Sequence, residues 1–170
     1  MKHDRATGRS VVLLVFLVST VLAACGGAQR SGKETVNIAF TLEEQPQSLT
    51  RYRGRNTLLV LMRTSEMVSQ IYMSRLRESF EELRKQCTVL VLTVEPTEAP
   101  FVETYREIEQ LPFPVGVAAP EVAAGESPLG IVPRIPHTYF IDKQGIVRNA
   151  VSGVLEPDAL LQAAARFFDQ

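Results

Sequence analysis

The sequence predicts an α/β domain in which a mixed central β-sheet is covered by helices on both faces. Two uninterrupted apolar runs, 57–62 and 88–94, are typical of strands that are buried on both sides of a sheet. Between them, residues 67–85 place apolar side chains at helical spacing, with charged residues in the intervening positions. A tight hairpin signal at 138–148 and an amphipathic segment at 156–168 complete the alternation of strands and helices.

Shorter patterns predict the remaining elements. In chain order they are a half-buried strand at 36–42, a turn at 45–47 with a return at 48–49, a helix at 99–110, a short strand at 113–117, and a Pro- and Gly-rich loop at 119–134 with room for one helical turn. The sequence contains no internal repeat. The 146 residues after position 24 are the length of one domain, so all of these elements are assigned to it.

The first 24 residues have the parts of an export signal, and we expect them to be removed from the mature protein. Lys2, Arg5 and Arg9 make the beginning basic, and residues 10–24 carry no charge. The apolar run is shorter than the roughly 20 residues that a membrane-spanning helix needs. A plain secretory signal and an uncleaved N-terminal anchor are the alternatives to the more specific interpretation that follows.

The stretch Leu22-Ala23-Ala24-Cys25 resembles the bacterial lipobox, in which a diacylglyceryl group is attached to the cysteine thiol before cleavage. The resemblance implies lipidation at Cys25 and attachment to a membrane of the bacterial cell envelope, on its periplasmic or extracytoplasmic side. Stable attachment takes two or more acyl chains, which such processing supplies. Residues 25–35 are rich in Gly, Ser and Lys and predict a flexible tether, followed by the domain at 36–170.

The mature chain of 146 residues has little net charge. Without residues 1–24, the 18 basic residues fall to 15 and the 19 acidic residues to 18, which gives a net charge of −3. This balance argues against nucleic acid as a partner and is too mild to indicate an anionic membrane surface. Four arginines nevertheless flank the first buried strand: Arg51, Arg53, Arg55 and Arg63. They form either a solvated face or a patch that docks an anion or a partner.

Residues 135–145 read Ile-Pro-His-Thr-Tyr-Phe-Ile-Asp-Lys-Gln-Gly. This segment is similar to the V-P-T-T-F-L-I-D-x-x-G of membrane-anchored thioredoxins of the TlpA/ResA type, and it is the most specific part of a resemblance that runs in order over residues 36–168. Phe113-Pro114-Val115 is similar to that family's F-P-V strand. A weaker likeness to the F-x-L, s-L and G-K stretch before the first core strand is carried by Phe40-Thr41-Leu42, Ser48-Leu49 and Gly54-Arg55. The resemblance implies a thioredoxin-like fold without a cofactor.

The resemblance also implies a cis peptide bond between Ile135 and Pro136, opposite the redox motif. About 5–6% of X–Pro bonds in folded proteins are cis, so this is a specific prediction, and a trans proline at a strand start is its alternative. In the family, the backbone beside this proline bonds an extended substrate chain. The resulting candidates for a binding groove are Ile135, Pro136, His137 and Met67.

The thiols of the redox motif are missing. Thioredoxin chemistry needs two cysteines separated by two residues at the start of the first long helix, where the helix lowers the pKa of the first thiol. Matching the family's motif to the residues after the strand 57–62 brings Glu66 and Ser69 to the two cysteine positions. Peroxiredoxin chemistry needs Thr-x-x-Cys at this corner, but Thr64 is followed three residues later by Met67.

Three further interpretations stay open for the polar residues near this corner. If the fold is as expected, His137 projects towards Glu66 and Ser69. It would then be a hydrogen-bonded residue at the rim of the site, part of a ligand-binding site, or a ligand of a soft metal together with Met67. Two ligands do not make a metal site, so we expect none. Ser69, His137 and Glu66 also name the members of a nucleophilic triad, but the Gly-x-Ser-x-Gly context is missing.

The function expected from these residues is a membrane-anchored, thioredoxin-like lipoprotein that is redox-inactive and binds an envelope protein or peptide. The alternative is a divergent thiol–disulfide oxidoreductase or antioxidant redoxin that uses Cys87 or a thiol of its partner. Cys87 is the one cysteine left after lipidation of Cys25, so no internal disulfide is expected. A lone cysteine between a helix and a strand is more often a small buried residue than a nucleophile.

Overall fold

The computed structural model describes residues 34–168, so the predicted signal peptide, the lipidation site Cys25 and most of the predicted tether lie outside the described residues. The strands are β1 (Ala39–Leu42), β2 (Gln45–Ser48), β3 (Thr57–Met62), β4 (Thr88–Thr93), β5 (Val115–Ala118), β6 (His137–Ile141) and β7 (Val147–Ser152). The helices are α1 (Met67–Gln86), α2 (Val102–Ile108), α3 (Pro120–Ala123) and α4 (Pro157–Phe168). Short 3₁₀ helices occupy Leu49–Tyr52 and Pro96–Phe101.

In the described part of the chain, the strands form one mixed sheet in the order β2-β1-β5-β4-β3-β6-β7. The central strands β3, β4 and β5 are parallel to one another, whereas β1 and β6 pair with them in antiparallel orientation. The central strands are buried throughout most of their length, as their uninterrupted apolar sequences indicate. The predicted fold class, a thioredoxin-like α/β fold with a mixed central sheet, is confirmed.

Alternate side chains of β3 enter two separate cores. On one face, Leu58 and Val60 pack with residues of α1, α2 and α4, including Tyr72 and Leu160. On the other face, β3 contributes Leu59 and Leu61 to the second core. That core is covered by the N-terminal segment, α3 and nearby loop residues, including Val36, Ile38 and Val122. Because helices α1 and α4 lie on the first face, side-chain parity along a strand decides which residues can reach α1.

The two ends of the sheet differ in what they carry. Thr57 pairs with Ile141 at one end of β3, and Leu61 pairs with His137 at the other. The first end therefore holds the turn between β6 and β7 and the end of α1, where Asn56 Nδ2 donates to the carbonyl of Gln86. The second end holds the beginning of α1 and the Ile135–Pro136 peptide. These two ends are about 17–20 Å apart along a six-residue strand.

The boundaries of several shorter elements differ from those predicted. The turn lies at Glu43 and Glu44, which both have positive φ, and Pro46 sits within strand β2 rather than in a turn. An edge strand tolerates proline because the missing N–H is not needed by a neighbour. Pro100 falls in a 3₁₀ helix, so α2 begins at 102 instead of 99. Within residues 34–168, no helix combines the length and apolarity that crossing a membrane requires.

Candidate functional site

The candidate site is the corner where β3 ends, residues 63–66 turn, and α1 begins. Glu66 is the N-cap residue of α1, although its side chain does not cap the helix. The buried hydroxyls of Tyr72 and Thr138 lie 2.8 Å apart and share a hydrogen bond, which joins α1 to β6. The start of β6, with Pro136, is therefore held beside the first turns of α1.

The peptide bond between Ile135 and Pro136 is cis, as the family resemblance implied. Pro136 is buried, and its carbonyl accepts a hydrogen bond of 2.7 Å from the backbone N–H of Gly153. Ile135 is half-buried and its side chain packs against both cores. Neither backbone polar group of Ile135 has a hydrogen-bond partner among residues 34–168. The corner thus presents one unpaired backbone unit directly before the cis-proline.

The two positions that match the lost cysteines have different surroundings. Glu66 is half-buried and its carboxylate lies 2.8 Å from the Arg63 guanidinium in an ion pair. Ser69 is completely buried, and its hydroxyl oxygen accepts the backbone N–H of Arg63 at 3.3 Å. The side chain next to them is apolar and exposed, since Met67 is 74% accessible to solvent. Val68 and Ile71 are exposed on the same helical turns.

The turn before α1 is held in place by Glu98, a residue that sequence reasoning missed. The Glu98 side chain is buried and its carboxylate accepts the backbone N–H groups of Thr64 and Ser65, at 3.0 and 3.1 Å, and the hydroxyl of Thr93. Burial raises the pKa of Glu98, but these hydrogen bonds together lower it more, so the net pKa lies below the ordinary value. Glu98 is 34 residues from Thr64 in the chain, and no local pattern marks it.

His137 does not project towards Glu66 and Ser69, which corrects the expectation from the sequence. Its partner in the β3–β6 register is Leu61, so its side chain lies on the sheet face opposite α1. The ring is buried, its Nδ1 lies 2.8 Å from the Ser152 hydroxyl, and its centroid is 4.6 Å from that of Tyr139. Burial lowers the pKa of His137, which favours the neutral ring.

The position of His137 also argues against a triad with Ser69 and Glu66 and against a metal site with Met67. A nucleophilic triad of Ser69, His137 and Glu66 would need its members on one side of the sheet. Met67 is the first residue of α1, and α1 and the His137 imidazole lie on opposite faces of the sheet. Among residues 34–168, no group of three or more His, Cys, Asp and Glu side chains is arranged to hold a metal ion.

Comparison with known proteins assigns the family. Residues 32–150, more than two thirds of the chain, match the AhpC/TSA family. The chain belongs to the AhpC/TSA family. No curated protein matches the chain.

Solved structures with the same fold include several thiol–disulfide proteins. A secreted thiol-disulfide isomerase from Corynebacterium glutamicum is 17% identical, with a TM-score of 0.70 over 84% of this chain and 90% of that one. A DsbF homologue from Corynebacterium diphtheriae is 15% identical, with a TM-score of 0.69 over 84% and 96%. The pneumococcal exposed lipoprotein thioredoxin Etrx1 from Streptococcus pneumoniae is 20% identical, with a TM-score of 0.63 over 76% and 98%. This AhpC/TSA family member therefore has the thioredoxin-like fold of thiol–disulfide oxidoreductases.

Cys87, the one thiol in the described part of this AhpC/TSA member, is far from the corner. It follows the last residue of α1, and 20 helical residues separate it from Glu66 by about 30 Å. The side chain is buried in the core on the α1 face, and its thiol contacts the Leu83 carbonyl oxygen at 3.5 Å. Burial raises the pKa of Cys87 to about 12. A buried thiol that stays protonated is a poor nucleophile.

Proposed function

We propose that this AhpC/TSA member is a TlpA/ResA-type lipoprotein of the bacterial cell envelope that has lost thiol–disulfide exchange and binds a protein or peptide. The observation that carries the proposal is that the corner has an unpaired backbone unit but no thiol among the described residues. The cis-proline and the free backbone of Ile135 are present, while the described residues hold no thiol nearer than Cys87, at the far end of α1. In this proposal the chain retains the peptide-binding part of the site and lacks the thiols that would carry out exchange.

The residues at the thiol positions support the loss of exchange. In disulfide exchange, an exposed thiolate attacks and a second thiol resolves the mixed disulfide. Glu66 and Ser69 have the half-exposed and buried surroundings that such a pair would need, but a carboxylate and a hydroxyl cannot form a disulfide. The alternative, an oxidoreductase using Cys87, is disfavoured by the burial and raised pKa of that thiol.

The surface around Ile135 is suited to an extended peptide. An extended chain that pairs with a free backbone unit gains main-chain hydrogen bonds, and its side chains gain contacts with neighbouring apolar residues. Here the apolar neighbours would come from the first two turns of α1, where Met67, Val68 and Ile71 are exposed. A partner with an apolar side chain next to its paired backbone would cover both features.

The extracytoplasmic, membrane-anchored location rests on the sequence before residue 34 and on the character of the structural neighbours. One neighbour is described as an exposed lipoprotein and another as a secreted isomerase. The lipobox-like Leu-Ala-Ala-Cys at 22–25 would supply the anchor through Cys25. Lipid on Cys25 would also remove that thiol from redox chemistry.

A reductase assay tests the loss of exchange. The mature chain should not catalyse insulin reduction by dithiothreitol. The matched control is Glu66→Cys/Ser69→Cys, which restores two thiols at the start of α1 and should gain measurable turnover if the positions correspond to the lost motif. Turnover by the unmodified chain above the uncatalysed rate would overturn the proposal. A Cys87→Ser variant then identifies whether Cys87 is the thiol responsible.

A further inference from the structure

A basic cleft lies at the opposite end of the sheet from the candidate site. Its lining is formed by the 3₁₀ helix after β2 and the segment that leads into β3, and its volume is about 450 Å³. The lining residues are Arg51, Tyr52, Arg53, Gly54, Arg55 and Thr88. All three arginines are exposed. We call Arg51, Arg53 and Arg55 the arginine cleft.

The three guanidinium groups are not neutralised by carboxylates of the described residues. Arg51 donates to the side-chain oxygen of Gln47 at 2.7 Å, and Arg53 donates to the carbonyl oxygen of Gln144 at 2.6 Å. Neither these two nor Arg55 forms an ion pair within residues 34–168. The cleft therefore keeps its full positive charge, even though the mature chain as a whole is slightly acidic.

Most carboxylates at the same end of the sheet are already paired. Asp142 accepts the backbone N–H groups of Gln144 and Ile146 and forms an ion pair of 2.6 Å with Arg148. On the last turns of α1, each acidic side chain has a basic partner; the pairs are Glu81 with Arg84 and Glu82 with Lys85. Glu34 is exposed where the described chain begins. The carboxylates that are paired in this way are not available to neutralise the three arginines.

The chain enters the domain beside this cleft. Thr35 forms a bridge with Ile146, and the backbone N–H of Val36 donates to the carbonyl of Gly145 at 2.7 Å. Gly145 is also where Arg53 packs, since a Cβ built on this glycine would lie 3.3 Å from the Arg53 guanidinium carbon. The peptide that leads back to Cys25 therefore starts next to Arg53. Eight residues lie between Cys25 and Glu34. The nine Cα–Cα steps across them reach at most about 30 Å.

We propose that the arginine cleft docks onto the anionic phospholipid headgroups of the membrane that carries the Cys25 anchor. The proposal rests on the lipidation in the proposed function for its biological setting, because the short connection would hold this face near the bilayer. Guanidinium groups match phosphate oxygens in charge and hydrogen-bonding geometry. With this face on the bilayer, the corner at Pro136 lies at the far end of β3 and points away from the membrane, accessible to a partner.

The size of the effect follows from the number of arginines. A basic residue close to an anionic bilayer contributes about 1 kcal/mol, which is about fivefold in affinity. Three arginines together account for a change on the order of a hundredfold. Because the attraction falls off within a Debye length, about 8 Å at physiological ionic strength, the binding should weaken steeply with added salt.

Vesicle co-sedimentation tests the docking without the lipid anchor. The protein is the mature chain, residues 25–170, with Cys25→Ser, and the vesicles are phosphatidylcholine with or without phosphatidylglycerol. We expect binding to the anionic vesicles only, reduced on the order of a hundredfold by Arg51→Gln/Arg53→Gln/Arg55→Gln. The control Arg77→Gln/Arg106→Gln/Arg134→Gln removes the same charge elsewhere and should bind nearly as well as the unmodified cleft. Circular dichroism verifies that both variants fold.

Three results would overturn the proposal. The first is an equal loss of binding in both triple variants, and the second is equal binding to vesicles with and without phosphatidylglycerol. The third is full displacement by inorganic phosphate at constant ionic strength, because that result would indicate a site for a free anion. Each leaves the proposed function intact, because the assay uses neither the lipid nor the Pro136 corner. Conversely, absence of lipid on Cys25 in cells would remove the anchor but would not change binding to these vesicles.

Discussion

Replacing Glu98 by glutamine should loosen the turn between β3 and α1. In the folded protein the carboxylate accepts three hydrogen bonds, from the backbone of Thr64 and Ser65 and from the Thr93 hydroxyl. The glutamine oxygen can keep the two that share one carboxylate oxygen, from Thr64 and Thr93. Its amide NH₂ then faces the N–H of Ser65, and the charge that strengthens the other bonds is lost.

The expected cost of Glu98→Gln is about 2 kcal/mol of unfolding free energy, since a hydrogen bond to a charged group contributes about 1.5–3 kcal/mol. That corresponds to a fall in Tm of about 6 °C for a domain of this size. Urea unfolding followed by circular dichroism measures the change, with the m-value expected to stay constant. The matched control is Glu103→Gln, an exposed glutamate whose ion pair with Arg106 should contribute less than about 0.5 kcal/mol.

The dependence on pH gives the same substitution a second readout. The pKa of Glu98 in the folded state lies below its ordinary value of 4.5, so ionised Glu98 stabilises the fold fully above about pH 4.5. As the pH falls through the folded-state pKa, that stabilisation is lost. The difference between the parent and Glu98→Gln should therefore be largest near neutral pH and shrink in acid. A cost equal to that of Glu103→Gln, or one that is independent of pH, would refute this account of the turn.

Three other predictions concern the packing and the remaining thiol. Cys87 should react with a thiol reagent about a thousandfold more slowly than a free cysteine until the protein unfolds, because burial raises its pKa from 9.0 to about 12; rapid native labelling would contradict this. Tyr72→Phe should cost about 1–3 kcal/mol by leaving the buried Thr138 hydroxyl unpaired, and adding Thr138→Val should recover part of it in urea unfolding. Gly116→Ala should lower Tm by several degrees, since its Cβ would collide with the Thr41 carbonyl oxygen. The control Gly130→Ala meets no atom within 4 Å and should lower stability only through the strain of its positive φ.

The central elements could be predicted from the sequence because their patterns are local. The apolar runs 57–62 and 88–94 became β3 and β4, and the helical pattern from Met67 became α1 almost to the residue. The cis bond at Ile135–Pro136 was predicted through a family resemblance, since no composition or periodicity marks it. Local apolar patterns and short family motifs can be recognised in the sequence without knowledge of the tertiary structure.

The errors arise where tertiary contacts decide the outcome. Every residue of β6 is buried, so its sequence lacks the alternation of polar and apolar residues that would have told the two faces apart, and His137 was expected on the wrong one. The turn at Glu43 and Glu44 uses positive φ values that glutamate rarely adopts, whereas Pro46 looked like the turn residue. The role of Glu98 depends on two segments far apart in the chain, which only the folded structure brings together.

Site-specific photo-crosslinking in membranes measures the central claim most directly, namely that the corner at Pro136 binds a partner. A photoreactive amino acid in place of Met67 probes the corner, and the same residue in place of Ile108 is a matched control because the two side chains are 74% and 73% exposed. The account predicts a discrete adduct from position 67, resistant to reducing agent, and none from position 108. Identical patterns from both positions, or no adduct from position 67, would contradict it.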